Sequence, residues 1–396
     1  MKNQQVAQSI LPEIKKLTKQ ITKKTMKARI NLMEVCGTHT MAIAASGIRS
    51  LLPKEINMLS GPGCPVCVTS TGEIDMAIDL ADQHNAIIAT FGDMMKVRGS
   101  TGSLQDAKAD GHDIRIIYSP FELVGLARAN PNKNVIFIGV GFETTIPAIA
   151  SAIKQARANG IKNLFVLPIF KLVPPALKAI LSGTDHNIHG FILPGHVSAI
   201  IGAKPYEFVV KDHEVPCVIT GFEPMDILQG ILMVLKQLIR QKPRLEIEYS
   251  RCVKPNGNPV AINTMNEVFQ EADARWRAIS TIPRSGLSFR KPFIGFDALK
   301  RFNIRYKETP EPKGCLCGAI LTGKAKPKQC KHFGKSCTPT KAIGPCMVSS
   351  EGACAAEYRY GPPFSPLPLR SQMLRSLGEG VEMVRVRGIK KASLSK

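Results

Sequence analysis

The feature that most limits the fold of this 396-residue chain is an alternation of short apolar runs with helical patterns. The runs are rich in β-branched residues, and most precede a segment with the three- and four-residue apolar spacing of a helix. They read INLMEV, INMLS, AIIATF, IRIIYS, NVIFIGV, NLFVLP, GFILPG and CVITG. Such alternation is typical of parallel α/β sheets.

A short internal echo predicts two related α/β units. Gly141–Glu143 and Gly221–Glu223 each close an apolar run and open a helix. We predict an N-terminal amphipathic helix in residues 1–30, an α/β domain in 31–130, a second in 131–240, a Cys-rich domain in 241–365 and a basic tail in 366–396. The N-terminal helix carries helically spaced apolar residues at Val6, Ile10, Ile14, Leu17 and Ile21. Another helix is predicted from Asn266 to Ile279.

Composition favours a globular cytoplasmic protein. The hydrophobic share of 44% supports a buried core, and no stretch reaches the roughly 18 apolar residues of a membrane span. We also expect no signal peptide, because the N-terminus lacks an unbroken apolar run. The 53 Lys and Arg against 31 Asp and Glu are dispersed, and only 6% of residues are aromatic. Nucleic-acid binding is therefore not expected to be the main function, and an acidic protein partner or simple solubility explains the charge.

The eleven cysteines are placed very unevenly. Three fall in two early motifs, EVCGTHT and GPGCPVC, and six crowd a late stretch, whereas Cys217 and Cys252 stand alone. Reducing cytoplasm disfavours a disulfide framework, and thiolate sulfur selects iron, zinc or copper(I) and exchanges electrons as a dithiol. The chain is therefore expected to be a sulfur-rich metal or redox protein.

Cys36 ends the first apolar run and precedes a helix that begins near Thr38. Ligands of open α/β sheets bind at the carboxyl ends of the strands, so this cysteine is a candidate site residue. We expect the helix N-terminus to lower its thiol pKa. An inert buried cysteine is the alternative. His39 is either a ligand or second-sphere donor, or an ordinary polar residue at a helix start.

The GPGCPVC motif holds Cys64 and Cys67 in a tight loop of glycines and prolines. Two thiols at this spacing can close a disulfide or bind a metal, and half of a zinc site is the alternative. Ser70 and Glu73 fit a capping box that opens the next helix. We expect the loop to be a surface feature at a strand end.

The late cysteines are spaced for a metal site. They are Cys315, Cys317, Cys330, Cys337, Cys346 and Cys354. Neither the paired C-x-x-C knuckles of structural zinc nor the ferredoxin run occurs, so an iron–sulfur cluster is favoured and zinc is the alternative. The four predicted ligands are Cys317, Cys330, Cys337 and Cys354. Cys315 and Cys346 are then spare or redox-active.

Long blocks of the chain resemble one protein family. They are MEVCGTHT, GPGCPVCVT, FGDMM, GFETT, LVPPA, GHVSAIIG, WRAISTIPRSGL, CGAILTGKAKPKQCKHFGKSCTP and GPCMVSSEGACAAEYRY, colinear over roughly residues 30 to 361. They resemble the family of the hydrogenase maturation factor HypD. The chain departs from that pattern at Arg98, where a proline is expected, and at Phe170, where a histidine is expected.

The resemblance implies two Rossmann-like parallel-sheet lobes and a C-terminal iron–sulfur domain with a [4Fe–4S] cluster. It implies two partners, a small HypC-type chaperone and a HypE-type cyanide donor, with which the protein assembles the Fe(CN)2CO unit of [NiFe] hydrogenase. By this resemblance Cys36 is the iron-site thiol, Cys64 and Cys67 are the redox pair, and the late cysteines hold the cluster. Such a protein is a redox-active assembly scaffold rather than a simple turnover enzyme. Its Fe(II) carries cyanide and carbon monoxide during assembly.

Two rival functions remain open. A stand-alone iron–sulfur-coupled thiol–disulfide oxidoreductase explains seven cysteines but leaves Cys36 idle. A zinc-stapled basic nucleic-acid binder explains the charge and the late cysteines but not GPGCPVC. Glu143 and Glu223 either position a partner or ligand at the strand ends, or are ordinary carboxylates at helix starts.

Overall fold

The computed structural model describes residues 2–26, 28–183, 186–277 and 279–361, with side chains from residue 9 onward. Val6 therefore lies outside the described side chains, and the predicted basic tail lies outside the described residues. None of the helices in these ranges combines the length and apolar character needed to cross a membrane.

Each of the eight predicted apolar runs overlaps one strand, and three further strands follow them, so the described chain has eleven strands. The strands are β1 Ile30–Glu34, β2 Ile56–Ser60, β3 Ala86–Thr90, β4 Asp113–Ile116, β5 Asn134–Gly139, β6 Leu164–Pro168, β7 Gly190–Pro194, β8 Cys217–Thr220, β9 Leu245–Ile247, β10 Phe269–Trp276 and β11 Ser280–Phe289.

Helices follow most of these strands, as the alternation predicts. They are α1 Lys2–Thr25, α2 Gly37–Ala45, α3 Ile48–Leu51, α4 Pro65–Val68, α5 Thr71–Ala81, α6 Leu104–Ala109, α7 Glu122–Ala129, α8 Ile146–Ala158, α9 Val173–Ser182, α10 Gly195–Ile201, α11 Glu207–Lys211, α12 Pro224–Arg240, α13 Pro259–Val268, α14 Ala298–Arg301, α15 Cys317–Leu321, α16 Pro345–Val348 and α17 Ala353–Tyr360. Short 3₁₀ helices cover Gly92–Lys96, Lys204–Tyr206, Lys291–Phe296 and Pro327–Gln329.

Two parallel sheets organise the molecule. Sheet A has the strand order β2-β1-β7-β8-β9, and sheet B has the order β4-β3-β5-β6. Every pair of neighbouring strands in both sheets is parallel. The mixed α/β class with Rossmann-like parallel sheets is therefore confirmed.

The sheets divide the chain differently from the predicted boundary at residue 130. Sheet B takes β3 and β4 from the first predicted domain and β5 and β6 from the second, and it is inserted between β2 and β7 of sheet A. Strands buried on both faces are continuous apolar runs, so their sequences do not specify their neighbours. The register of β3 against β5, with Ile87 beside Val135, is a long-range pairing that only the folded chain reveals.

The helix predicted from Asn266 to Ile279 is wrong. α13 ends at Val268, and β10 follows and pairs with β11 in an antiparallel hairpin. Buried Phe269 and Trp276 lie seven residues apart, which is the spacing of one helix face. Pairing with β11, with a register shift between Ala272 and Ala274, decides the outcome instead. The indole Nε1 of Trp276 donates to Ser285 Oγ at 2.8 Å, which fixes this hairpin across its two strands.

Three apolar cores hold these layers together. One lies between sheet A and helices α1 and α12, with Ile14 fully buried in it. A second packs sheet B against α7, α8 and the β10–β11 hairpin. The third contains residues from both sheets together with Cys317 and Met347 of the late segment. The late cysteine segment thus shares a core with the sheets and does not have to supply one alone.

Candidate functional site

Cys36 lies where sheet A changes direction. From β1, the chain adds β2 on one side and β7 on the other, which makes the carboxyl end of β1 a topological switch point. Ligands of open α/β sheets bind in the crevice at such a point. Cys36 lies two residues after the end of β1 and is the N-cap residue of α2. The predicted position of this cysteine, after a strand and before a helix, is confirmed.

The C-P-x-C loop packs directly on Cys36. The Gly63 carbonyl accepts a hydrogen bond from the Gly37 N–H at 2.8 Å. A Cβ atom at Gly63 would lie only 2.3 Å from the Cys36 backbone nitrogen, so this close approach requires glycine. Thiols that are 28 residues apart in sequence are thereby brought to the same sheet end.

Burial raises the pKa of the Cys36 thiol, whereas the helix N-terminus was expected to lower it. Burial, followed by the negative charge of Glu351, raises the pKa of the Cys36 thiol to about 12. Backbone groups of Thr38 and His39 act in the opposite direction but are weaker. The expectation of a lowered pKa is therefore wrong, because desolvation outweighs the helix N-terminus. A bound metal ion deprotonates a coordinating thiol.

A buried carboxyl group supports the backbone at Cys36. Glu34 Oε2 accepts from the Cys36 N–H at 3.1 Å, and Glu34 Oε1 accepts from Thr40 Oγ1 at 2.5 Å. Burial raises the pKa of Glu34 to about 7. Glu34 was not among the predicted site residues, although its place near the end of an apolar run just before Cys36 was a usable signal.

The C-P-x-C loop is buried rather than exposed at the surface. Cys64 is 3% exposed and Cys67 is fully buried. The predicted capping box is present, with Glu73 Oε2 accepting from the Ser70 N–H at 2.8 Å. The cover over the loop is residues 345–352, which we call the strap. Since this segment comes from the far end of the chain, sequence reasoning gave no sign that it would cover the loop.

The strap touches both early thiol motifs. Ser349 Oγ lies 3.2 Å from Cys64 Sγ, and Glu351 Oε1 accepts from Thr38 Oγ1 at 2.8 Å. Asp93 Oδ2, in the loop after β3, accepts from Ser349 Oγ at 3.1 Å and from the Ser350 N–H at 3.0 Å. Asp93, Ser349 and Glu351 were not among the predicted site residues. The motifs FGDMM and SSEGAC that contain them were the available signal.

All six late cysteines line one cavity. The open room within it is about 10 Å³, enough for one water molecule, and Ile320, Phe333, Gly344 and Met347 complete its wall. The predicted ligands among its cysteines are Cys317, Cys330, Cys337 and Cys354, and the other two are Cys315 and Cys346. The four predicted ligands therefore lie together in the fold, and so do the two cysteines that were left out of the set.

Contacts between thiols connect the cysteine cavity to the C-P-x-C loop. Cys67 interacts with Cys346, and Cys346 interacts with Cys317, so Cys64, Cys67, Cys346 and Cys317 form a row that we call the thiol chain. The interaction with Cys346 and burial hold the pKa of Cys317 well above its usual range. Burial, then the neighbouring thiols, does the same for Cys354. The thiol chain leads from the C-P-x-C loop to the cysteine cavity.

The donor set fits an iron–sulfur cluster by its chemistry. Within the described ranges, no three His, Cys, Asp or Glu side chains meet closely enough to hold a single metal ion. A cubane cluster is larger than an ion and is held by four cysteine thiolates, which must stand further apart. Six cysteines around one cavity provide such a set.

The two Gly-Phe-Glu glutamates lie in different settings. Glu143 is 2% exposed, its Oε1 accepts from the Val173 N–H at 2.9 Å, and burial raises its pKa to about 7. Its Oε2 is buried and has no hydrogen-bond partner in the described part of the chain. Glu223 is exposed and caps α12. These carboxylates follow strands of different sheets, so the fold does not place them on one sheet edge.

His39 is a buried residue beside the switch point. Its Nε2 lies 2.8 Å from the Gly221 carbonyl, and its ring stacks on Phe222 with centroids 4.6 Å apart. The ring of His196 stacks on Phe222 at 3.8 Å. Burial lowers the pKa of His39 to about 4, so the ring is neutral at physiological pH.

The two departures from the expected sequence pattern are structurally benign. Phe170 is buried and packs edge-on against Phe269 with centroids 5.0 Å apart. Arg98 lies 3.7 Å from the Asp106 carboxylate and forms a bridge to Ser103. Both positions are away from the cysteines that line the cavity.

Fold and site together define a class of protein, one with two parallel sheets and a row of thiols that leads to a cavity lined by cysteines. A family model named HypD and described as "Hydrogenase formation hypA family" matches residues 11–361. The chain belongs to this HypD family, which confirms the resemblance in the sequence.

Curated relatives agree with this assignment over most of the chain. The "Hydrogenase maturation factor HypD" of Rhodobacter capsulatus is 42% identical over 361 residues, which cover 90% of this chain and 96% of the relative. The protein of that name from Cupriavidus necator is 44% identical and covers 86% and 92%. That of Escherichia coli is 42% identical and covers 85% and 90%.

Proposed function

We propose that this chain is a cytoplasmic scaffold and redox component for assembly of the Fe(CN)2CO unit of [NiFe] hydrogenase. Its partners would be a HypC-type chaperone and a HypE-type cyanide donor. One observation carries the proposal: the fold brings Cys36, the C-P-x-C loop and the late cysteines to one region at the carboxyl end of sheet A. Membership of the HypD family supports the assignment to hydrogenase maturation.

Cys36 would bind the iron substrate. Soft thiolate sulfur suits Fe(II), and a scaffold that releases its product needs fewer ligands than a closed structural site. A cysteine of the chaperone would supply a further ligand. Glu34 would hold the Cys36 backbone in place through its hydrogen bond to the Cys36 N–H. Glu351, hydrogen-bonded to Thr38, would lie beside the iron as a second anionic group.

Cys64 and Cys67 would act as a two-electron store. Their oxidation forms one S–S bond and releases two protons and two electrons. Cys346 and Cys317 extend this store toward the cavity, because they continue the thiol chain from Cys67. A [4Fe–4S] cluster held by the late cysteines would exchange these electrons one at a time.

The thiol chain favours a change to the predicted cluster ligands. Cys317 already pairs with Cys346, whereas the cysteines that remain around the cavity are Cys315, Cys330, Cys337 and Cys354. We therefore propose that Cys315 takes the place of Cys317 in the four-cysteine set. Cys317 would then serve with Cys346 as a second redox pair.

Infrared spectroscopy of the chaperone complex tests the iron site. We expect Cys36→Ala to abolish the cyanide and carbonyl bands of a complex purified without oxygen, while cluster iron and acid-labile sulfide stay at wild-type levels. Cys252→Ala is the matched control, because Cys252 is exposed. Wild-type band intensities in the Cys36 variant would show that iron is held elsewhere and would refute this role.

The rival oxidoreductase makes a different prediction for the same variant. A stand-alone enzyme that uses only the C-P-x-C pair and the cluster would keep its full thiol–disulfide activity without Cys36. The zinc-stapled alternative would yield zinc, and no labile sulfide, in anaerobic preparations. Metal and sulfide analysis of the wild-type chain therefore separates the remaining candidates.

A further inference from the structure

The described chain has a second cavity, at the open edge of sheet A, that the proposed function does not use. It has room of about 240 Å³, and we call it the edge groove. Its apolar part is formed by Leu52, which follows α3, by β2 and by the late segment. The lining residues are Arg49, Leu52, Ile56, Asn57, Met58, Leu59, Ser60, Ile320, Ala325, Lys326, Pro327, Lys328 and Glu357.

The backbone of β2 faces this groove. β2 is a terminal strand of sheet A, with β1 on one side only. The Ile30 N–H donates to the Glu55 carbonyl and the Gly61 N–H donates to the Glu34 carbonyl, both at 2.7 Å. Backbone groups alternate sides along a parallel strand, so Met58 and Ser60 direct their N–H and C=O groups away from β1. These are the groups with which an added strand would pair.

Cations outnumber carboxylates along the groove. Among its lining residues, Arg49, Lys326 and Lys328 are basic and only Glu357 is acidic. Glu357 pairs with Arg49 at 3.0 Å and with Lys328 at 3.3 Å. Partial burial, then the charges of Arg49 and Arg29, lowers the pKa of Lys326. The groove therefore has an excess of positive charge that a negative ligand would offset.

Two side-chain polar atoms of residues that line the groove have no hydrogen-bond partner among the described residues. They are Arg49 Nε, a donor, and Asn57 Oδ1, an acceptor, and both are buried. Buried polar atoms of this kind are costly unless something pairs with them.

We propose that the edge groove binds an extended acidic segment of a partner protein, which adds to β2 as a sixth strand of sheet A. Apolar residues of that segment would face Leu52 and Ile320, and its carboxylates would face Lys326. The chain's own C-terminal residues 362–396 are a poor occupant, since they carry seven Lys and Arg against two Glu. Like charges would repel them from this groove.

The location of the groove connects such a partner to the thiol site. β2 ends at Ser60, and the next residue begins the loop that holds Cys64. Ile320 lines both the edge groove and the cysteine cavity. A partner on β2 would therefore contact the wall of the cavity. This inference goes beyond the proposed function, because binding of the segment requires neither iron nor a cluster.

Fluorescence anisotropy with the full chain tests the inference. The probe is a fluorescein-labelled peptide that alternates valine and glutamate. We expect Lys326→Glu to weaken its binding about tenfold. Lys108→Glu is the matched control, because Lys108 is an exposed lysine on α6, in the sheet B lobe. A peptide methylated on alternate backbone nitrogens, with unchanged charge, should also bind about tenfold more weakly.

Hydrogen exchange on the wild-type chain gives an independent readout. The bound peptide should slow amide exchange at Met58 and Ser60 by about tenfold, because these N–H groups would become hydrogen-bonded. Basic residues beside an edge strand also protect it against unwanted pairing. Unchanged exchange at β2, or equal binding of the methylated peptide, would favour such protection and overturn the proposal. Displacement by inorganic phosphate without any β2 protection would reveal only an anion site and would also overturn it.

Discussion

At the scale of single residues, burial decides how the site groups behave. Cys36 is at a helix N-terminus, which favours a thiolate, yet its pKa rises to about 12 because the thiol is desolvated and Glu351 is close. Glu34 and Glu143 follow the same rule, and the pKa of each rises to about 7. A linear motif shows which groups are present but not how much water reaches them.

The choice between Cys315 and Cys317 is testable at this scale. With Cys315 as a cluster ligand, Cys315→Ala should lose most of the iron, labile sulfide and visible absorbance of the anaerobic protein. Cys317→Ala should keep them, because its thiol pairs with Cys346 instead. Both variants remove one thiol from the same cavity, so each is the control for the other. The reverse result would restore Cys317 to the ligand set.

At the scale of elements, the strap is the part of the site that most needs the rest of the fold. α16 lies within it, and Asp93 in the loop after β3 anchors Ser349 and Ser350. Ser349 in turn contacts Cys64. Three parts of the fold therefore meet at the Cys64 thiol. They are the strap, the segment after β3 of sheet B and the C-P-x-C loop after β2 of sheet A.

Asp93→Asn should loosen the strap and expose the C-P-x-C thiols. Hydrogen bonds to a charged group contribute about 1.5 to 3 kcal/mol, so losing the charge should favour opening by about tenfold or more. Alkylation of Cys64 and Cys67 in the reduced protein, followed by mass spectrometry, would measure this change. Asp110→Asn, at an exposed helix end, is the control. Equal alkylation rates in the wild type and Asp93→Asn would show that the strap does not control access.

At the scale of the whole molecule, stability depends on carboxyl groups buried in the fold. Glu143 follows β5 of sheet B and holds the start of α9 through Val173. The pKa of its carboxyl group rises from 4.5 to about 7 on folding. The folded state then binds the proton more tightly than the unfolded state. Its contribution to stability is therefore present below about pH 4.5 and is lost as the pH rises toward 7.

Glu143→Gln should remove this pH dependence. The amide imitates the protonated carboxyl, so the variant should match the wild type near pH 4, where the wild-type carboxyl is protonated in both states. It should exceed the wild type in free energy of unfolding near pH 8 by up to about 3 kcal/mol. Urea unfolding at the two pH values measures the difference, and Glu214→Gln, at an exposed glutamate, is the control. A variant less stable than the wild type at both pH values would show that Glu143 is needed as a carboxylate.

Much of the local architecture could be predicted from the sequence. The eight apolar runs form strands β1 to β8, and the capping box at Ser70 opens α5. Both depend on residues that are close in the chain. The strands follow the pattern of apolar side chains, and the capping box rests on hydrogen bonds between Ser70 and Glu73. The hairpin at Phe269 was missed because strand pairing with β11, and not local spacing, selects its structure.

The sequence by itself determined which chemistry the protein can perform, because the thiols and their motifs are present whatever the fold. Only the tertiary structure decided which thiols meet, since Cys67 and Cys346 are 279 residues apart and join the same thiol chain. It also decided that sheet B is inserted into sheet A and that the strap buries Cys64. These outcomes depend on long-range packing and on the exclusion of water, which no short segment encodes alone.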